Sequence, residues 1–162
     1  MPDQPYSSVP ETLEHRQQVQ KAIGMIVSEI IIRGYDHDQS KTRTPEVEVF
    51  DRVTPLLKTL TYGTPEYAAS LKDMGPALDH HYANNSHHPE HFGEAGMKGM
   101  DIYDLIEMFC DWMAASQRTQ DGSPVKSVDL GIKRFGIGEP LASILMNTAK
   151  EWHVKPDASD ED

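Results

Sequence analysis

The chain has 162 residues, with 26 Asp and Glu against 15 Lys and Arg, a net charge of −11 at pH 7, and one cysteine. That length suits one domain with a core of its own, and the acidity excludes tight non-specific binding to a phosphate backbone, so no long nucleic acid is expected as a partner. Cys110 has no second cysteine to pair with, and no apolar run approaches the roughly 20 residues of a membrane span, so a cytoplasmic protein without membrane association is expected.

The opening stretch MPDQPYSSVPETLEH has neither a basic segment nor an apolar one, and no secretory leader is read from it. Ser8 and Glu11 have the spacing of a capping box, which predicts a helix running to about Arg33, where Gly34 supplies a stop. Its stripe of Leu13, Val19, Ile23, Ile26 and Ile30 marks it as a core helix. Thr44-Pro45 and Thr64-Pro65 each place a capping hydroxyl before a first-turn proline, predicting helices near 45–60 and 65–73, with Pro55 kinking or splitting the former. Gly75-Pro76 restarts the chain into a short helix carrying His80 and His81, and Asn84-Asn85-Ser86 breaks it before a loop with His87-His88-Pro89.

Asp101 is placed to cap the clearest helix, 102–119, whose buried face is read as Leu105, Ile106, Phe109, Met113 and Ala114. Asp104, Glu107 and Asp111 share another face of it, at spacings of three and four. A shorter helix is predicted from Ser127 to Phe135, and a last one from Glu139-Pro140 to about Trp152. The expectation is an all-α fold: a compact single-domain bundle of about six to eight helices over residues 1–155. The acidic tail 156–162, PDASDED, carries no large apolar residue and is expected to be disordered.

Six of the eight histidines fall at 37, 80, 81, 87, 88 and 91. Helix packing does not call for five imidazoles between 80 and 91, whereas neutral imidazole and carboxylate are the usual ligands of borderline divalent metals. His37-Asp38 offers two ligands with Lys41 three residues on, an arrangement suited to phosphate-ester hydrolysis: a metal polarises one phosphoryl oxygen while the lysine neutralises another. His80 and His81 lie on different helix faces, and His81 is taken as the ligand. Of His87 and His88, one is expected to ligate while its neighbour makes a supporting hydrogen bond; His91 is the weakest candidate. Asp111 sits between Cys110 and Trp112 among apolar residues, where a carboxylate needs a cation. Glu107 and Asp104 are read either as a solvated face or as supports for the ligands. Lys133-Arg134 are the later candidates for a substrate phosphate, although a basic helix end is an equally natural reading.

The order His15, His37-Asp38 with Lys41, intervening histidines and then Asp111 resembles the H…HD…D pattern of the HD-domain metal-dependent phosphohydrolases, and the segments HDQSK, HHYANNSHHPEHF and DLIEMFCDWMAA look like a small HD-like family of phages and bacteria. The resemblance implies an HD-like helical fold and a centre of one or two divalent ions (Mn, Fe, Co, Zn or Mg) held by His15, His37, Asp38 and Asp111. Loop histidines such as His81, His87 or His88 would complete a second position. It also implies that Asp38 and Lys41 act on a small phosphate ester, most naturally a nucleoside mono- or triphosphate. A non-catalytic metal-stabilised binding or regulatory protein is the alternative. One unbroken first helix would set His15 about 27 Å from that helix's end. A break at Gly24, or a swapped homo-oligomer, would return His15 to the site; without either, His37, Asp38, His81, one paired loop histidine and Asp111 suffice.

Overall fold

The computed structural model describes residues 6–61, 64–118 and 122–152. Among these, seven α-helices and two 3-10 segments carry the regular structure and no strand occurs, so the all-α expectation holds. The tail 156–162 lies outside the described residues. The chain divides into two units, one ending at His37 and one beginning at Asp38.

Helix α1, Val9–Asp36, is the regular structure of the first unit. It runs through Gly24 without a break and passes the expected stop at Gly34. Ser8 occupies the N-cap but makes no side-chain capping bond, and Glu11 accepts from the Tyr6 hydroxyl at 2.9 Å, so the capping box read from the sequence is not formed. The core role expected of this helix also needs correcting. No residue of α1 is buried, and its apolar side chains are widely exposed, Ile23 at 55% and Leu13 at 48%. Amphipathic spacing specifies a face that gains from cover; it does not specify what covers it.

In the second unit a 3-10 turn, Gln39–Thr42, leads into α2 (Val47–Leu57), α3 (Pro65–Lys72) and α4 (Pro76–Asn84). Pro55 lies inside α2, and the helix ends two residues after it rather than near 60. Thr64 caps α3 through its hydroxyl, which accepts from the Tyr67 amide at 3.3 Å. His87 and His88 lie in a loop, as expected, and a 3-10 segment, Pro89–Gly99, follows it, bent at Gly93 and Gly96, whose φ angles of 55° and 50° favour glycine.

Helices α5 (Ile102–Ser116), α6 (Pro124–Phe135) and α7 (Leu141–Lys150) form the apolar core. It is built from Met108, Phe109 and Met113 of α5, Val128 of α6, Ile137, and Leu145 and Ala149 of α7. Of the face expected for α5, Phe109 and Met113 are buried, Leu105 and Ile106 are partly so, and Ala114 is exposed. Asp101 and Asp104 form a reciprocal capping box at the start of α5. Helix α6 begins three residues earlier than expected because Ser123 is its cap, followed by Pro124 at the first turn. Trp112 stacks parallel on Phe135 with centroids 6.2 Å apart, and this is possible because Gly131, beneath the indole, has no Cβ.

Candidate metal centre

The second unit builds the site at the points where its helices stop. Asp38 follows the end of α1 and takes a left-handed conformation, φ 56° and ψ 17°, which aspartate tolerates better than most residues. Its carbonyl accepts from the Lys41 amide at 2.9 Å and its carboxylate Oδ2 from Lys41 Nζ at 2.6 Å, so the turn closes on both backbone and side chain. His81 comes from α4, and His87 and His88 from the two turns between α4 and Pro89. His81 and His87 are each 1% exposed.

The ligand-type atoms of Asp38, His81, His87 and His88 all lie within 4.8 Å of one another. Asp38 Oδ1 is 3.4 Å from His81 Nε2 and 3.7 Å from His87 Nε2, and His81 Nε2 is 2.9 Å from His88 Nε2. Two imidazole nitrogens sharing one ion at about 2.1 Å lie roughly 3.0–3.4 Å apart, from octahedral to tetrahedral angles, so the cluster has the dimensions of a coordination sphere.

The tautomers follow from the carboxylates behind the rings. His81 Nδ1 lies 3.0 Å from Glu46 Oε2, and His87 Nδ1 lies 2.9 Å from Glu107 Oε1. An ionised carboxylate only accepts hydrogen bonds, so each Nδ1 carries the hydrogen and a neutral ring then presents its Nε2 lone pair to the cluster. Those lone pairs face Asp38 Oδ1, itself an acceptor. Acceptors facing one another repel, and a cation among them reverses the sign.

Electrostatics favours the neutral form of His81 and His88 as well. Burial and the nearby Lys41 charge hold the His81 pKa below its ordinary value against the opposing pull of Asp38 and Glu46. His88 is pushed down to about 3, first by burial and then by His87 and His81, with Asp111 and Asp38 acting against the shift. A neutral imidazole is the form that binds a metal without first releasing a proton.

The other residues singled out in the sequence fall as follows. Lys41 stands at the edge of the cluster, bound to Asp38 and 5.1 Å from the centroid of the Phe50 ring. Asp111 on α5 brings a carboxylate oxygen within 4.8 Å of a His87 nitrogen, and its charge acts on His88. The acidic face of α5 is turned to the histidine segment along its length, since Asp104 accepts from Ser86 Oγ at 2.6 Å, Glu107 pairs with His87, and Asp111 lies next. His37 is the C-cap of α1 and the last residue of the first unit. His15 is on the same unbroken helix, 22 residues earlier, or about 33 Å along the axis, so these two cannot hold one ion from a single copy of α1. His91 is exposed and meets the Tyr82 carbonyl at 2.9 Å. Lys133 and Arg134 on α6 stand in ion pairs of their own, with Asp129 at 2.6 Å and Glu90 at 2.7 Å.

Three participants carried no usable signal in the sequence. Glu46, fully buried, takes His80 Nδ1 on one oxygen at 2.7 Å and His81 on the other. Ser40 Oγ donates to Glu46 Oε2 at 3.0 Å. Asn85 Nδ2 donates to Ser40 Oγ at 2.8 Å and to the His81 carbonyl at 2.7 Å. One glutamate among 26 acidic residues looks like surface until the fold shows it closed from water.

Residues 4–154 match the model of a family described as one of unknown function, DUF5662, and the chain belongs to that family. No curated protein and no solved structure matches it.

Proposed function

Starting from membership in a family whose function is not stated, we propose that this chain is a metal-dependent phosphohydrolase acting on a small phosphate ester, most simply a nucleotide. The observation that carries the reading is the convergence of imidazole and carboxylate lone pairs at Asp38, His81, His87 and His88 beside the Lys41 ammonium. The resemblance of HDQSK and its companion segments to HD-type phosphohydrolases supports the same reading.

The donor set fits an ion. Three imidazoles and one carboxylate suit Zn, Fe, Co or Mn better than Mg, which prefers an all-oxygen shell and keeps its waters. Such an ion supplies Lewis acidity towards a phosphoryl oxygen and lowers the pKa of bound water. The protein's own share is positioning and charge. Asp38 holds Lys41 through Oδ2 while Oδ1 faces the histidines, so the ammonium stands where a phosphoryl oxygen beside the cluster would meet it. Lys41 retains 33% side-chain exposure and Asp38 19%, which leaves the lysine side of the cluster reachable by a small anion.

The test strips the protein with a chelator, reloads it with Mn, Fe, Co, Zn or Mg, and offers each form a panel of nucleotides and simple phosphate esters. Asp38→Asn is the informative variant because asparagine also tolerates the left-handed turn. Metal-dependent phosphate release that falls at least ~100-fold in Asp38→Asn, and that loses kcat/KM in Lys41→Met, is the expected result. Absence of tight binding by any of the ions would overturn the reading.

One observation favours a second reading, a metal-stabilised binding or regulatory protein. Four protein ligands fill a tetrahedral ion, as structural sites do, whereas catalytic sites keep a position open. Under that reading the same preparations gain thermal stability on loading and release no phosphate.

A further inference from the structure

We propose that Glu46 is the positioning residue of the metal centre: its buried carboxylate clamps two consecutive histidines by their Nδ1 atoms and thereby sets how tightly the cluster holds an ion. This rests on the metal-centre reading and not on hydrolysis. A carboxylate with no exposure is costly unless it is matched, and among the described residues the ionic partners of Glu46 are His80 and His81. The side chain is not used to cap α2, although Glu46 is its N-cap residue; the helix dipole there favours a negative charge. Both oxygens instead face α4, one to each histidine, and Ser40 donates to the oxygen that holds His81.

The consequence is a fixed ring. His81 Nδ1 has Glu46 Oε2 at 3.0 Å, Asn85 Nδ2 at 3.1 Å and Ser40 Oγ at 3.3 Å around it. Only the carboxylate is an obligate acceptor, so it selects the Nδ1–H tautomer, and Asn85 spends its amide on the His81 carbonyl and Ser40. The ring plane is then held from behind while Nε2 looks towards Asp38 and His88. His80, 42% exposed, is the outer jaw of the clamp. Its bond to Oε1 stops the carboxylate from swinging out of register with His81.

Glu46→Gln tests this with almost no change of volume. An amide offers one acceptor and one donor face, so it cannot receive Nδ1–H from both histidines, and one ring must change tautomer or turn. Co(II) and Zn(II) affinity, measured by competition with a chelator, is expected to fall about 10–100-fold. The visible absorption of the Co(II) form is expected to shift, while the thermal midpoint of the metal-free protein stays near that of wild type. Should Glu46→Gln not fold, His80→Gln loosens the same carboxylate from the exposed side and is expected to weaken Co(II) binding several-fold. Wild-type affinity and an unchanged Co(II) spectrum in the folded variant overturn the proposal, as does a wild-type protein that binds neither ion. A protein that binds Co(II) in this Glu46-dependent way yet hydrolyses nothing would remove the phosphohydrolase reading and leave the clamp standing.

Discussion

Two regions of the second unit are held together on opposite principles. The core of α5, α6 and α7 is apolar, drawn from regular helices, and tolerant in direction: Met108, Met113, Val128 and Leu145 fill space and gain from burial without needing a particular partner. The histidine cluster is polar, drawn from a left-handed turn, a helix end and two short turns, and it depends on which atom faces which. The core can therefore lose a contact and keep its form. The cluster cannot lose Glu46 or Glu107 without releasing the ring each one holds. Stability and chemistry are largely separate properties of these two regions, joined by Asp104, whose carboxylate accepts from the Asp101 amide in the α5 capping box and from Ser86 in the histidine segment.

The largest effect that would break this separation is expected from Met113→Ala. Removing a side chain that is 1% exposed should cost about 2–5 kcal/mol in urea unfolding, with metal affinity per folded molecule unchanged. A parallel loss of affinity would show that the two regions are one cooperative piece. Ser86→Ala cuts the joint between them. It removes a 2.6 Å hydrogen bond to a buried carboxylate and should lower stability by about 1.5–3 kcal/mol; unlike the core variant, it should also weaken Co(II) binding, measured by chelator competition.

The effect that is smallest near neutral pH, and grows with acidity, sharpens the electrostatic side. With His88 at about 3 in the folded chain and near the ordinary 6.5 when unfolded, the unfolded state binds more protons between those limits. Metal-free protein should then keep the full contribution of this residue above about pH 6.5 and lose up to about 1.4 kcal/mol per pH unit as the pH falls towards 3. The depressed pKa of His81 acts with the same sign. Urea unfolding of wild type and His88→Gln at pH 7, 6, 5 and 4 isolates the contribution of this ring: the stability difference between the two should change across this window. A difference that stays constant with pH would place the charge balance of the cluster elsewhere.

Comparison of individual elements shows where sequence reading stops. Asp101 with Asp104, and Ser8 with Glu11, have similar local signatures, yet the first pair forms its capping box and the second does not. Tyr6 takes Glu11 away, a competition that spacing does not record. The Ser123-Pro124 start of α6 has the same chemistry as Thr64-Pro65, three residues before the start at Ser127 that the sequence reading predicts. Glu107 was readable as a support only through its spacing with Asp104 and Asp111, whereas Glu46 lies 35 residues from the ring it holds and has no periodic relation to it.

From its residues alone this chain declares helices, because apolar spacing, prolines and capping side chains act within a turn or two of themselves. It also declares an excess of imidazole between 80 and 91. Which nitrogens converge, which acids stand behind them, and whether the stripe on α1 is covered were decided only in three dimensions. Hydrogen-bond direction and burial belong to pairs of surfaces brought together by the fold, and a single segment carries only half of each pair.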